Sequence, residues 1–524
     1  MRDNVTVALG TATSRVTGFL RVLVLGWAIV PVVDGKADGR LSDAYNLANT
    51  TPNIIFELVL GGILSATLVP VFTRAFAERD RRAVDAIVGT SLALLAALTI
   101  VATAAAPAIV WIYTAARGGE GTSEYRSVAT VLAFLFLPQI FFYGLMSIAS
   151  ALLNAKRRFF AAAWAPVLVN VIVIVGLVVA RKSVSGVPSL DVAESDRKLT
   201  VLLGIAPTLG VATMALVMLP ALRRAGIYLR PKVDLNHPAV REVVRMSGWT
   251  VGYVVANQIA LAIVTVLAQR EAGGLTAYTT MFIFFQLPHG LLAVTVMTTF
   301  TPDLSASASR NDWRRFRITM RVGVRAIVAL LIPAATVYAV LAGPATHLSG
   351  RFASLDEAEP VLRAFAVGLV GFSTYLFVLR GFYARKDTQT PFRLNVLQNG
   401  LNIALALAFV APWGVAGLAW AYSISYLVAA VVSWRALGHA VRGGLRSDLL
   451  VPVLARAAIA ALVMGLALWL GRDLAGSDTG WGAIVRLAAA GTIGLAVYVA
   501  TLVGLGGMDP HRPALPWSRA APRR

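Results

Sequence analysis

The feature that most constrains this chain is a series of uncharged apolar stretches, each long enough to cross a lipid bilayer. A helix needs about 20 apolar residues to span the roughly 30 Å hydrocarbon core. Seven windows exceed that length without a single Asp, Glu, Lys or Arg. They are residues 86–116, 127–155, 159–180, 199–222, 246–269, 272–302 and 326–350. Water alone cannot be the solvent of such a chain, so we expect a membrane protein.

The rest of the chain supplies seven more spans. Residues 394–434 are long enough for two spans, and Pro412 and Gly414 supply the turn that divides them. Two uncharged or nearly uncharged segments and three with internal charge complete the set. They are residues 450–471, 483–506, 5–32, 45–73 and 359–384. The sequence therefore predicts an all-α polytopic membrane protein with 14 transmembrane helices.

The charge distribution predicts how these spans are inserted. The chain has 47 Lys and Arg against 26 Asp and Glu, a formal net charge of +21. If the N-terminus is cytoplasmic, most of the basic residues fall in loops on that side, as the positive-inside rule requires. Because 14 is even, both termini are then cytoplasmic. The positive charge is therefore interpreted as an insertion signal, and no nucleic-acid partner is expected.

The residue types argue against an enzyme. The chain has no cysteine, and its five histidines are scattered along the sequence. No phosphate-cradling Gly-Lys loop or hydrolytic triad is recognisable. No connecting loop is long enough for a soluble catalytic domain. We expect neither catalysis nor a cofactor nor a metal cluster.

An internal repeat predicts two similar halves. Pro166 and Asn170 open the span after one basic aromatic turn, and Pro391 and Asn395 open the span after another, 225 residues later. The match predicts two parallel six-helix lobes, residues 1–226 and 227–440, followed by a helix pair and basic tail over 441–524. Parallel repeats of this kind are typical of transporters. The alternative is that proline is simply common in the first turn of helices.

Polar side chains interrupt the first two spans in a regular way. Span one carries Arg15 and Arg21, and an ionisable group within hydrocarbon is costly unless it faces a cavity or a partner. Span two carries five polar residues at steps of three and four, which place them on one helical stripe. They are Asp43, Asn46, Thr50, Asn53 and Glu57. Such a stripe indicates a groove filled with water or ligand, or a polar helix opposite.

Arginine in this groove favours a phosphorylated ligand. The planar guanidinium donates two hydrogen bonds to neighbouring oxygens, so Arg15 and Arg21 suit an anionic headgroup. The alternative is that Arg15 or Arg21 pairs with Glu57 or Asp43 and only joins the first two spans. The arginines could serve both roles if such an ion pair opens in one state of the protein, and the pair would then act as a gate.

The second half offers weaker candidates. Gln286 and Arg380 lie within spans eight and ten, and His289 is either a packing residue or a proton relay. Span eleven carries amides at helical spacing. Among them, Asn395 and Asn399 are weak candidates for a monovalent-cation site, although buried amides more often join helices.

An ordered set of short motifs resembles the MurJ (MviN) family. The motifs include Ser14–Arg21, Ser42–Tyr45, Thr51–Ile55, Gln286–Gly290 and Arg380–Asp387. They run in order over about residues 8–440. This family belongs to the multidrug/oligosaccharidyl-lipid/polysaccharide exporter superfamily, and its members have the same number of spans as predicted here.

The resemblance implies a flippase for lipid II, the lipid-linked precursor of peptidoglycan, and so a part in cell wall biogenesis and cell shape. The expected transport runs from the cytoplasmic to the outer leaflet of the bacterial plasma membrane by alternating access. The drive would be the membrane potential or a coupling ion, H⁺ or Na⁺. Arg15, Arg21 and Asp43 match positions of the family's cavity, and Gln286 stands where members commonly have Glu. The expected partners are lipid II or a related prenyl-pyrophosphate glycan, membrane lipid and cell-wall synthesis proteins.

Some positions depart from the family pattern and keep other functions open. The family's Arg-Asp is Arg21-Val22 here, its arginine pair is Phe56-Glu57, and an arginine is replaced by Ile283. The pattern is closer to divergent, actinobacterial-type members. The alternatives are a flippase for another prenyl-linked oligosaccharide, a cation-coupled multidrug exporter of the same superfamily, and a scaffold that transports nothing.

Overall fold

A computed structural model describes most of the chain. The described residues are 2–33, 36–57, 62–118, 121–246, 248–349, 357–445, 451–471 and 480–506. Within them lie twenty α-helices, one π-helical turn and one hairpin of two-residue strands. By contacts the chain divides into two compact units, Met1–Thr276 and Ala277–Arg524. The lobe boundary predicted from the repeat, after residue 226, stays a prediction.

The first unit holds the hairpin and the first twelve helices. They are α1 (Arg2–Ile29), β1 (Val32–Val33), β2 (Lys36–Ala37), α2 (Arg40–Phe56), α3 (Gly62–Ala77), α4 (Arg81–Ala104), α5 (Ala106–Tyr113), α6 (Thr122–Phe136), α7 (Gln139–Ala155), α8 (Phe160–Lys182), α9 (Leu190–Ser195), α10 (Arg197–Arg224), α11 (Pro238–Met246) and α12 (Gly248–Ala268). The strands pair antiparallel, with Val32 opposite Ala37.

The second unit begins at Ala277, within α13, so the first three residues of α13 belong to the first unit. Its elements are α13 (Gly274–Pro288), a π-helical turn (His289–Ala293), α14 (Val294–Ser309), α15 (Trp313–Val340), α16 (Ala342–His347), α17 (Ala358–Ala384), α18 (Gln389–Ala440), α19 (Val451–Leu470) and α20 (Gly480–Gly504).

The all-α membrane fold is confirmed. Eleven helical segments of the described chain are long and apolar enough to cross a bilayer. The longest, α18, has 52 residues and contains Gly414 in a non-helical conformation at φ 54° and ψ −141°. The chain thus breaks at the turn predicted to divide spans eleven and twelve. Neither α1 nor the 17-residue α2 is among the eleven, and the total of fourteen stays a prediction.

Small residues let the helices of the first unit approach closely. Gly176 of α8 faces Ala206 of α10, and a Cβ at Gly176 would lie 2.2 Å from the Cβ of Ala206. Within a bilayer, where lipid is as apolar as leucine, such close packing is a main source of helix association. The pair therefore fixes α8 against α10.

The C-terminal helices α19 and α20 pack against the rest of the second unit through one apolar cluster. Met464 and Leu468 of α19 and Tyr498 of α20 are buried together with Leu341, which follows α15. The predicted C-terminal helix pair is therefore an addition to the surface of α15, and much of its remaining surface is apolar and exposed.

The contact between α8 and α10 predicts a specific instability. We expect Gly176→Ala to destabilise the protein by about 1–3 kcal/mol, because two Cβ atoms cannot share that space. Gly400→Ala in α18 is the matched control, since a Cβ at Gly400 would meet nothing within 4 Å and alanine favours helix. Thermal unfolding of both variants in detergent measures the difference. Equal midpoints for the two variants would contradict the packing described.

Candidate functional site

One polar cavity lies within the first unit and contains an arginine of the predicted first span. Its volume is about 280 Å³. The lining residues come from α1, α2, α7, α8 and α10. They are Arg21, Asn49, Thr50, Asn53, Tyr143, Val169, Pro207 and Val211. The cavity therefore combines one cationic group with two amides and two hydroxyl groups, a set that can bind an anion.

The rotation of α1 brings Arg21 into this cavity and leaves Arg15 out of its lining. Asn170 of α8 donates hydrogen bonds from Nδ2 to the carbonyl of Ser14 at 3.1 Å and to Oγ1 of Thr17 at 3.0 Å. These bonds fix one face of α1 against α8. Arg21 is half-buried, whereas Arg15 is exposed. Neither guanidinium forms an ion pair with a residue that the structure describes.

The polar stripe of α2 contacts two different regions, the cavity and the start of α13. Asn53 lies at the cavity beside Arg21, and Glu57, at the end of the helix, is half-buried. Asn46 instead donates from Nδ2 to Oγ1 of Thr276 at 3.0 Å, and Asp43 lies one turn earlier. The stripe is therefore not one continuous groove, because its first turn is bonded to protein.

Asp43 is fully buried and accepts hydrogen bonds from the start of α13. Its carboxylate accepts the backbone N–H of Gly273 at 2.7 Å and that of Thr276 at 2.8 Å. The nearest cation is Arg117, whose Nη1 lies 3.9 Å from Oδ2. The pairing of Asp43 with Arg15 or Arg21, one of the alternatives above, is absent from the described residues. The charge partner comes instead from a loop that no sequence pattern singles out.

Arg117 is the main residue that the sequence did not identify. Its guanidinium lies 3.8 Å from the ring centre of Tyr125, and its Nη1 donates to Oε1 of Gln269 at 3.1 Å. Only 9% of the side chain is exposed. Asn49 was also missed, although it is three residues after Asn46 and four before Asn53. The helical spacing of Asn49 could have placed it on the polar stripe, whereas no sequence pattern pointed to Arg117.

A second acidic residue, Asp38, forms an ion pair beside this network. Arg40 Nη2 donates to Oδ2 of Asp38 at 2.9 Å and to Oδ2 of Asp191 at 3.2 Å. Burial alone would raise the pKa of Asp38, but the hydrogen bonds and positive charge of Arg40 outweigh it. The pKa of Asp38 is therefore lowered, and the pair keeps its charges at neutral pH.

The candidates of the second unit do not form a comparable site. Gln286 on α13 and Arg380 on α17 are both exposed, and neither bonds to a described residue. His289 is buried, with Nδ1 2.8 Å from Oγ of Ser373 and its ring against Phe372. This geometry fits a packing residue with a satisfied hydrogen bond.

The amides of α18 are buried, and two of them donate hydrogen bonds within α18. Asn399 donates from Nδ2 to the carbonyl of Asn395 at 3.1 Å, and Gln398 donates to Oγ of Ser425 at 3.0 Å. The second bond joins the two parts of α18 on either side of Gly414. No group of three His, Cys, Asp or Glu in the described ranges is arranged to hold a metal ion.

Because the Asp43 carboxylate is buried and bonded, we expect its removal to lower the stability of the protein strongly. We expect Asp43→Ala to cost about 3 kcal/mol of stability, because two buried backbone N–H groups lose their acceptor and Arg117 loses its ion-pair partner. Asp38→Ala, which removes a half-exposed ion pair, should cost about 1 kcal/mol or less. Denaturant unfolding of the purified variants compares the two losses. Equal losses would show that Asp43 does not hold α2 to the start of α13.

Comparisons with known proteins assign the family. The family model described as lipid II flippase MurJ matches residues 37–487. A probable lipid II flippase MurJ of Vibrio cholerae is 28% identical over 97% of this chain and 96% of its own length. The lipid II flippase MurJ of Burkholderia cenocepacia is 27% identical over 80% of both chains.

Solved structures show the same fold. A lipid II flippase MurJ in an inward closed conformation superposes with a TM-score of 0.75 at 19% identity, covering 95% of this chain and 99% of that one. An inward-facing multidrug resistance transporter of the MATE family gives 0.64 at 16% identity, with 80% and 92% covered. The match of the family model over most of the sequence shows that this chain belongs to the MurJ family.

Proposed function

We propose that this protein is a lipid II flippase, which moves the lipid-linked peptidoglycan precursor from the cytoplasmic to the outer leaflet. The observation that carries the proposal is Arg21, half-buried beside Asn49 and Asn53 in a cavity of a membrane-spanning unit. A guanidinium with neighbouring amides suits the diphosphate of such a lipid. The relatives named MurJ support the same substrate.

The chemistry of the substrate explains why a cavity of this kind is needed. The charged headgroup cannot enter hydrocarbon without its hydration being replaced. The prenyl tail cannot leave hydrocarbon, at about 0.8 kcal/mol per CH₂. A flippase therefore shields only the headgroup while the tail stays in lipid. Arg21 would hold the headgroup, and the exposed apolar surface of α19 and α20 would face lipid beside the tail.

Alternating access requires a contact that opens, and Asp43 supplies a candidate. Its bonds to Gly273 and Thr276 join α2 to the connection between α12 and α13. The positive-inside rule places this connection on the outer side, with both termini cytoplasmic. We therefore propose that release of lipid to the outer leaflet separates Asp43 from these N–H groups and from Arg117.

The proposed drive is the membrane potential or a coupling ion, H⁺ or Na⁺. One charge moving through 100 mV is worth about 2.3 kcal/mol. Asn395 and Asn399 remain the candidate positions for a monovalent cation, although their bonds also fit a structural role. The proposed partners, besides the lipid, are cell-wall synthesis proteins.

One observation favours a second candidate, a flippase for another prenyl-linked oligosaccharide. Ile283, which is 37% exposed, stands where the resemblance leads us to expect arginine, so the second half lacks that cation. Transport of fluorescent lipid II and of a different prenyl-diphosphate glycan into reconstituted vesicles separates the two. Transport of the second glycan alone would replace the first proposal by this one.

The role of the span-one arginines is testable in cells. We expect Arg15→Ala combined with Arg21→Ala to abolish growth support in a MurJ-depleted strain, with unchanged abundance in the membrane. Arg21→Lys should support growth only in part, because lysine keeps the charge but not the paired donors. Arg393→Ala, an exposed arginine with no described partner, is the control and should support normal growth. Normal growth with the double variant would refute the headgroup role of these arginines.

A further inference from the structure

Four helix ends of this chain share a turn in which a residue other than glycine is left-handed. Arg79, Arg157, Asn311 and Lys386 adopt left-handed backbone conformations with φ between 55° and 61°. In each turn the left-handed residue donates its N–H to the carbonyl three residues back, and the next residue donates to the carbonyl five back. This is the Schellman arrangement of a helix C-terminus. The turns follow α3, α7, α14 and α17, and each leads directly into another long helix.

Three of these turns supply a negative charge to the helix that follows. The residue after the left-handed position is Asp80, Asp312 or Asp387. Each of these carboxylates accepts a backbone N–H of the next helix, at distances of 2.9–3.0 Å. Each carboxylate accepts a hydrogen bond from a backbone N–H that has no partner within the helix. Its negative charge also interacts favourably with the positive end of the helix dipole.

The fourth turn has an arginine in place of the aspartate. Arg158 occupies the position after Arg157, and no side chain caps the 23-residue helix α8 that begins at Phe160. Neither arginine forms an ion pair or side-chain hydrogen bond with a described residue. At this one helix start the chain therefore adds positive charge where its three counterparts add negative charge.

An open pocket lies at this start of α8, and further basic residues line it. Its volume is about 530 Å³, and it lies between the end of α7, the start of α8 and the end of α10. Lys156 and Arg224 join Arg157 and Arg158 in its lining, and Lys156 also lies 4.5 Å from the ring centre of Phe76. Four cations thus surround a cavity with no described carboxylate in its lining.

Two exposed aromatic rings stand at the mouth of this pocket. Phe159 is 43% and Phe160 62% exposed, and both line the cavity. The rings lie where two predicted spans end, on the side with most of the basic loops. Apolar rings beside cations at that level match the boundary between lipid tails and headgroups, and they would not stabilise a free ion in water.

We propose that this pocket binds the phosphate headgroup of an anionic phospholipid of the surrounding leaflet. The phosphate would occupy the position that Asp80, Asp312 and Asp387 fill at the other three turns. Arg157, Arg158 and Arg224 would donate to its oxygens, while Phe159 and Phe160 contact the upper part of the acyl chains. The site is separate from the cavity of Arg21 and is independent of which lipid the protein transports.

The test compares binding of acyl-labelled phosphatidylglycerol and phosphatidylcholine to the purified full chain in neutral detergent. We expect phosphatidylglycerol to bind at least about tenfold more tightly. Arg158→Asp should lower that affinity about tenfold or more, because it gives α8 the internal cap of the other turns. Its thermal midpoint should not fall below that of the unchanged protein, which excludes misfolding as the cause.

Two variants serve as controls. Arg310→Glu makes the same change in charge at another of the four turns, where Glu78 shows that an acidic residue is accepted, and should leave the affinity within about twofold. Arg21→Ala should also leave it unchanged, since that residue lies in the other cavity. The proposal is overturned by an unaffected Arg158→Asp variant or by equal loss in either control. It is also overturned if glycerol phosphate, which has no acyl chains, binds as tightly as phosphatidylglycerol.

Discussion

The structure depends on one constraint: a polar group within a bilayer must find a partner in the protein or in a cavity, because lipid offers none. The first two spans show both solutions. Asp43 is satisfied by backbone N–H groups and by Arg117, so it holds helices together. Arg21 has no described ion-pair partner and lies in a cavity. The same constraint therefore separates a structural carboxylate from a group that is available to a ligand.

This separation gives the proposed transport cycle a physical basis. A headgroup that binds at Arg21 replaces water in the cavity, whereas movement of α2 away from the start of α13 must give up several bonds to a buried carboxylate. The substrate can bind without disturbing Asp43, and the opening step costs energy that the membrane potential or an ion can supply. In this proposal, binding involves Arg21 of α1 together with Asn53 of α2, and opening involves Asp43 at the other end of α2.

The four turns show how one backbone arrangement can serve two purposes. Identical backbone hydrogen bonds end α3, α7, α14 and α17, yet the residue that follows decides whether the next helix is capped by the chain. Aspartate caps the next helix at three of these turns. Arg158 leaves the fourth helix start uncapped and adds a positive charge there. A single residue type therefore changes a structural turn into a candidate binding pocket.

The sequence by itself determined the membrane fold and the break in the long helix at Gly414, because hydropathy and turn chemistry are local properties. Charge within an apolar span also identified Arg21 as a candidate, and the structure places it in the lining of a cavity. Its motifs also indicated the family. It could not determine which polar residues meet. The stripe on α2 predicted a groove or a polar helix opposite, and only tertiary packing showed that Asp43 and Asn46 are bonded to the start of α13 whereas Asn53 lines the cavity. Arg117 lies 74 residues from Asp43 along the chain, and no local pattern connects them. The pairing of distant charges is decided by how helices pack, so it appears only in the folded chain.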